Sequence, residues 1–250
     1  MTLPPLPSFD EFYKKAVCTE LRARLRLAAL SHFLLLGLVL IFTPVLRDLF
    51  VFTLFISMGL VVVNIVRLKL SRQVEPAISD QAKWFLKFRF YLCATAFLWG
   101  LLCLQTLHFY QLGSFPPLIL LIVVSASAAS ANIALGSSAS TARTYIGIML
   151  GIPICGLIYW MTYESLVLAV FTSTCLVYHW LQTAINSRNF RISTQQDFDL
   201  KAIRLERDAD SQLLREILDG LEDCVYLKDP KGTYQMVNKA SKHFCNWPAI

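Results

Sequence analysis

The chain has 250 residues, of which 56% are hydrophobic and only 16% charged, with a formal net charge of +6. A mean hydropathy of +0.53 excludes an ordinary soluble domain. The basic excess is not a nucleic-acid signature, because Lys and Arg cluster between apolar runs, where membrane topology accounts for them.

The seven Cys contain no CxxC pair. That spacing supports neither a disulfide framework nor a zinc site. Residues 1–26 lack the shape of a signal peptide and read as a cytosolic leader. Pro4, Pro5 and Pro7 keep its start extended. Asp10 is placed to cap a short amphipathic helix running through Arg26. That helix is expected to lie along the membrane surface, with Lys14, Lys15, Arg22, Arg24 and Arg26 near headgroups.

Six apolar runs follow, near 27–46, 49–66, 90–110, 115–135, 144–163 and 165–185. Each approaches the ~20 residues that a helix needs to cross a bilayer core. Together, 27–185 form the expected transmembrane domain. Outside the spans, Arg67, Lys69, Arg72, Lys83, Lys87 and Arg89 occupy 67–89, and Arg188 and Arg191 follow the last span. The outward loops carry almost no basic residue. The positive-inside rule then puts both termini in the cytosol.

None of the six runs contains Asp, Glu, Lys or Arg, which argues against ion-coupled transport. The fourth run ends in small residues up to Asn132, and the fifth carries Gly147 and Gly151 at GxxxG spacing, then Pro153. Small residues let helices approach closely, so a tight contact between these two spans is expected. Pro153 should kink its helix, which makes a hinge or a ligand groove beside it the sharper reading. His32 and His179 fall at similar depth in the first and last spans. They are candidates to ligate haem or a metal, or to bond a quinone; the plainer alternative is that each bonds a neighbouring helix. No cofactor is required by the sequence, and none can be named. The outward loops are too short for a ligand-binding domain, so any cue must arrive through the membrane or the cytosol.

The segment 186–221 is polar, charged and free of Pro, with no Gly before Gly220. A heptad frame places Leu200, Arg207, Leu214 and Leu221 at a, and Ile203, Asp210 and Ile217 at d. Apolar a and d positions form the seam along which two helices pair. Arg207 and Asp210 make a polar layer within that seam, which fixes register or leaves two registers close in energy. A signalling helix, paired in a homodimer, is the expectation. The alternative is a solvated tether.

After it, Cys224–Lys228 and Thr233–Val237 read as short strands. Asp229-Pro-Lys-Gly232 is a turn signal with Pro at i+1 and Gly at i+3, and Asn238 can cap the next helix. Helix, strand, turn, strand, capped helix, with Leu214, Ile217, Leu221, Val225, Tyr226, Asp229, Gly232, Tyr234, Val237 and Asn238, resembles the opening of a PAS sensory domain. The resemblance covers only 213–250, with 222–250 as the incomplete domain itself. Glu222 stands where many such domains carry Pro. A piece this short cannot bury a core alone, so the chain is expected to be the N-terminal part of a longer protein.

The expected fold class is therefore an all-α polytopic membrane protein: six transmembrane helices, a cytosolic signalling helix and a truncated α/β PAS start. Six spans ahead of a PAS domain resemble the input modules of bacterial sensor histidine kinases and diguanylate cyclases. The resemblance implies an inner-membrane, multi-pass homodimer that passes a signal to a downstream effector or response regulator. A two-component histidine kinase is the preferred parent. Residues 1–250 themselves carry no catalytic residues, no phospho-acceptor motif and no metal site, and His243 reads as structural. A transporter, or a haem- or quinone-binding membrane protein, is the competing class.

Overall fold

The structure, a computed structural model, describes residues 7–72, 81–110, 112 and 114–241. The prolines before residue 7, the middle of the basic segment 67–89, and His243 lie outside the described residues. In chain order the elements are α1 (Phe9–Phe42), α2 (Val45–Asp48), α3 (Phe50–Arg72), α4 (Gln81–Phe109), α5 (Phe115–Ala134), α6 (Ala139–Trp160), α7 (Tyr163–Asp219), β1 (Tyr226–Lys228) and β2 (Tyr234–Val237). Two compact units emerge: Asp10–Thr194, and a smaller one comprising Met1–Phe9 with Gln195–Ile250. All helices but α2 are long and apolar enough to cross a membrane. The chain is a multi-pass membrane protein on that ground.

The leader and the first span form one helix. Cys18, Leu21, Leu25, Ala29, His32, Leu36 and Val39 are all buried. Their three- and four-residue spacing makes a single stripe that continues through residue 26 without a Pro or Gly to interrupt it. The leader thus buries its apolar face against the bundle, in place of the separate surface helix expected from its basic residues. Asp10 lies inside the first turn, not at the cap, and favours the helix through its charge near the N-terminus. Two leader arginines close helix ends: Arg24 donates to the Ile133 carbonyl near the end of α5, and Arg26 donates to the Ser71 carbonyl of α3 at 3.4 Å. Cations suit these positions, where the last carbonyls lack helical partners.

Spans four and five, α5 and α6, do pack against each other. The most extensive helix pairing is α4 with α6, and α5 with α6 is a lesser one. Gly147 and Gly151 do not form the seam. They line an open groove of about 730 Å³ together with Phe97, His108, Ile152 and Trp160. Pro153 is buried in the same helix. Close approach occurs instead at Gly100 of α4, where an added Cβ would lie 2.9 Å from Ile152 Cδ1 and 3.1 Å from Ile152 Cβ. Nothing lies within 4 Å of a Cβ built at Gly151. Ile152 is β-branched and stiff. Gly100→Ala should therefore lower stability by about 1–3 kcal/mol through overpacking. Gly151→Ala should raise it by up to about 1 kcal/mol, through helix propensity alone. Thermal melting of the two purified variants in detergent separates these opposite signs.

The connection from α6 to α7 turns through Met161, which has φ 52°. Thr162 and Ser165 then bond reciprocally, each backbone N–H donating to the other's hydroxyl at 3.0 and 3.2 Å. This capping box starts α7. Between α1 and α3, Asp48 accepts from Arg47 Nε and from the Tyr110 hydroxyl, both at 2.8 Å. The Arg47 hydrogen bond first, and that of Tyr110 second, hold the Asp48 carboxyl below its ordinary range. A depressed carboxyl contributes stability above its unfolded pKa of about 3.9 and loses it as pH falls through the folded value. Melting temperature should thus drop below about pH 4, and the drop should be shallower in Asp48→Asn.

In the smaller unit, β1 and β2 pair antiparallel, with a register shift between Leu227 and Lys228. Gly232 has φ +84° and its N–H donates to the Asp229 carbonyl at 2.9 Å. Asp229 Oδ1 also accepts from the Lys231 and Thr233 N–H groups. A tight turn entering the left-handed region at its last residue is what glycine supplies without strain.

Candidate functional site

Two polar clusters are built into the apolar bundle. The first centres on Arg67. On α3 the buried residues Ile56, Leu60, Asn64, Arg67 and Leu70 fall at three- and four-residue steps. Arg67 therefore points inward with the core stripe, not outward as one of the loop cations counted for topology. It is 1% exposed. Its Nη1 donates to Asn64 Oδ1 at 2.9 Å and to Thr95 Oγ1 of α4 at 3.4 Å. Its Nε has no hydrogen-bond partner. No Asp or Glu among the described residues is buried or pairs with it. The interior is thus not free of ionisable groups, contrary to what the six apolar runs indicated, because the helix extends past the run and carries Arg67 inward.

Around Arg67 lies a cavity of about 20 Å³, which His32, Ser127, Ser130 and Tyr145 also line. Tyr145 Oη and His32 Nε2 are 3.2 Å apart. His32 also tilts against Trp99, with ring centroids 6.2 Å apart. His32 Nδ1 and Ser127 Oγ are buried without partners. Three residues that line this space, from α1, α3 and α5, thus each carry an orphaned polar atom. Buried polar atoms are seldom left unmatched.

The second cluster ties α5 to α7. Asn132 Nδ2 lies 2.8 Å from His179 Nδ1, and Asn132 Oδ1 accepts from the Thr183 hydroxyl. The Asn186 side chain donates to the Asn132 carbonyl at 3.1 Å. His179, Thr183 and Asn186 sit on one face of α7 at four- and three-residue steps, so a single asparagine holds nearly two turns. His32 and His179 therefore have different helical partners, Tyr145 and Asn132. No group of three or more His, Cys, Asp or Glu suited to a metal occurs among the described residues.

Comparison with protein-family models, curated proteins and solved structures finds no match in any of the three.

A larger cavity of about 590 Å³ opens among α1, α4 and the turn before α6, lined by Tyr13, Lys14, Trp84, Phe85, Ser138 and Ser140. Its volume falls within the range that holds small organic ligands. The linker residues belong to the smaller unit. Leu200, Ile203, Leu214, Ile217 and Leu221 are exposed on α7 and just beyond it, between 45% and 59%. Arg207 and Asp210 are exposed as well. At the hairpin, Asn238 Oδ1 accepts from the N–H groups of Val225 and Ser241 and from the Ser241 hydroxyl. Its Nδ2 donates to the carbonyls of Leu218 and Asp223.

Sequence reasoning missed Arg67, Tyr145, Ser127, Asn64 and Thr95. For Arg67 a signal was present: it extends the three-four spacing of Leu60 and Asn64. Tyr145 and Ser127 had none, since nothing local says which helix faces which.

Proposed function

We propose that this chain is the membrane signal-sensing input region of a bacterial signal-transduction protein, and that the parent is a two-component sensor histidine kinase. The observation that carries the reading is the continuity of α7, a single helix from Tyr163 to Asp219. Its first part is apolar enough to span a membrane, and its last part carries the exposed heptad seam. A helix that crosses a bilayer and continues into a seam is a mechanical link, because rotation or sliding at one end is felt at the other. The Asn132 clamp would be the point where α5 grips this lever. The cavity lined by Tyr13, Lys14 and Trp84 offers a place for an amphiphilic cue.

In this reading the protein sits in the inner membrane with both termini cytoplasmic. It pairs with a second copy along Leu200, Ile203, Leu214, Ile217 and Leu221, with Arg207 and Asp210 as the polar layer. The PAS-like segment passes the change to an effector. A diguanylate cyclase parent is the alternative within signalling. Transport is the competing class, and Arg67 lends it some weight. Against it, arginine stays protonated and cannot relay protons, and no buried carboxylate accompanies it among the described residues. Reading the gene onward from the codon for Ile250 tests the assignment. An ATP-binding kinase module with a helical phospho-acceptor region is expected. Further transmembrane spans with no effector module would refute it.

A further inference from the structure

We infer that the Arg67 cavity is a binding site for a single small inorganic anion of halide size. Charge as well as hydrogen bonding favours an anion there. Arg67 is 1% exposed, His32 6% and Ser127 2%. A fully buried guanidinium without a counter-ion is costly in an apolar bundle, because the desolvation it suffers is repaid only by an opposite charge close by. Asn64 and Thr95 supply dipoles to one of its nitrogens, and among the described residues no carboxylate supplies the charge. The atoms left over are Arg67 Nε, Ser127 Oγ and His32 Nδ1. The first two carry hydrogens to donate. His32 Nδ1 donates in the tautomer whose Nε2 accepts the Tyr145 hydroxyl proton, a geometry the 3.2 Å contact permits. The free groups can then all be donors, which is what an anion requires and what a second cation would not tolerate.

The space selects the class. A water needs roughly 10–15 Å³ of such volume, so about 20 Å³ suits one sphere somewhat larger than water. Residues of α1, α3 and α5 would each contribute one donor. A bound anion would draw three helices together at one point, and its loss would leave Arg67 uncompensated. This inference concerns the bundle alone and does not depend on what lies downstream of it.

The test is isotopic chloride binding to the purified full chain in detergent, with thermal melting in chloride against gluconate at equal ionic strength. The expected result is one chloride bound per chain, with a melting temperature that rises and saturates with chloride. Arg67→Gln should abolish both. If Arg67→Gln does not fold, Ser127→Ala and His32→Phe each keep the cation and remove one donor, and should weaken chloride binding about tenfold. No chloride above background, or affinity unchanged in Ser127→Ala and His32→Phe, would overturn the inference and leave the cavity to a water molecule.

Discussion

Replacing Asn238 with alanine should cost the C-terminal hairpin about 3 kcal/mol or more, since it removes five hydrogen bonds made by one 2%-exposed side chain. Two of those bonds reach back across the chain to Leu218 and Asp223, and one satisfies Val225 at the foot of β1. One more caps the following helical turn through the Ser241 N–H, a contact worth about 1 kcal/mol by itself. The strands have little else to hold them. β1 is exposed along its length, and an isolated two-stranded hairpin is marginal in water. Amide hydrogen exchange across 225–237 in the intact chain measures the effect. Protection should fall to that of an open chain in Asn238→Ala. Asn238→Asp, which keeps the acceptor and loses both donors, should fall in between. Unchanged protection in the alanine variant would show that the hairpin is held by something else.

The second large effect is expected at Asn132. Asn132→Leu keeps the branched shape of the side chain and the backbone carbonyl that Asn186 uses, but leaves His179 Nδ1 buried with no partner. An orphaned buried group of this kind costs about 1–3 kcal/mol. Thr183 retains its bond to the His179 carbonyl, so its loss is minor. The cost should appear as lower melting temperature and as faster exchange in the middle of α7, with little change in α3 or α4. Asn132→Gln, too long for the gap, should not rescue it. Destabilisation spread evenly over all helices would argue that Asn132 contributes only general packing.

Much of this architecture is legible in the residues. Apolar runs of spanning length report six helices because a continuous apolar segment of about 20 residues satisfies its own backbone in hydrocarbon only as a helix. Asp229, Gly232 and Asn238 announce a turn and a cap because their chemistry is local. Boundaries were harder. The leader's basic residues suggested a surface helix, yet Cys18, Leu21 and Leu25 carry the same stripe as His32 and Leu36, and one helix results. Counting charges treated Arg67 as a loop residue, because hydropathy averages over a window and overlooks which face a residue occupies. Partners between helices were least accessible. GxxxG at Gly147 and Gly151 suggested a seam, but α6 turns that face to an open groove and meets α4 near Gly100 and Ile152 instead. Tyr145 meeting His32, or Asn132 meeting His179, depends on helix rotation that no local pattern encodes.

We propose that α7 carries change from the membrane into a paired helix. A cysteine cross-linking scan across 197–221, in membranes and in a background lacking the seven native cysteines, tests it most directly. Disulfide yield should peak at positions 200, 203, 214, 217 and 221 and fall at Lys201, Glu206 and Asp208, following a 3.5-residue period. Uniform yields, or none above background, would mean that the helix does not pair along this seam, and the account of signalling through it would fail.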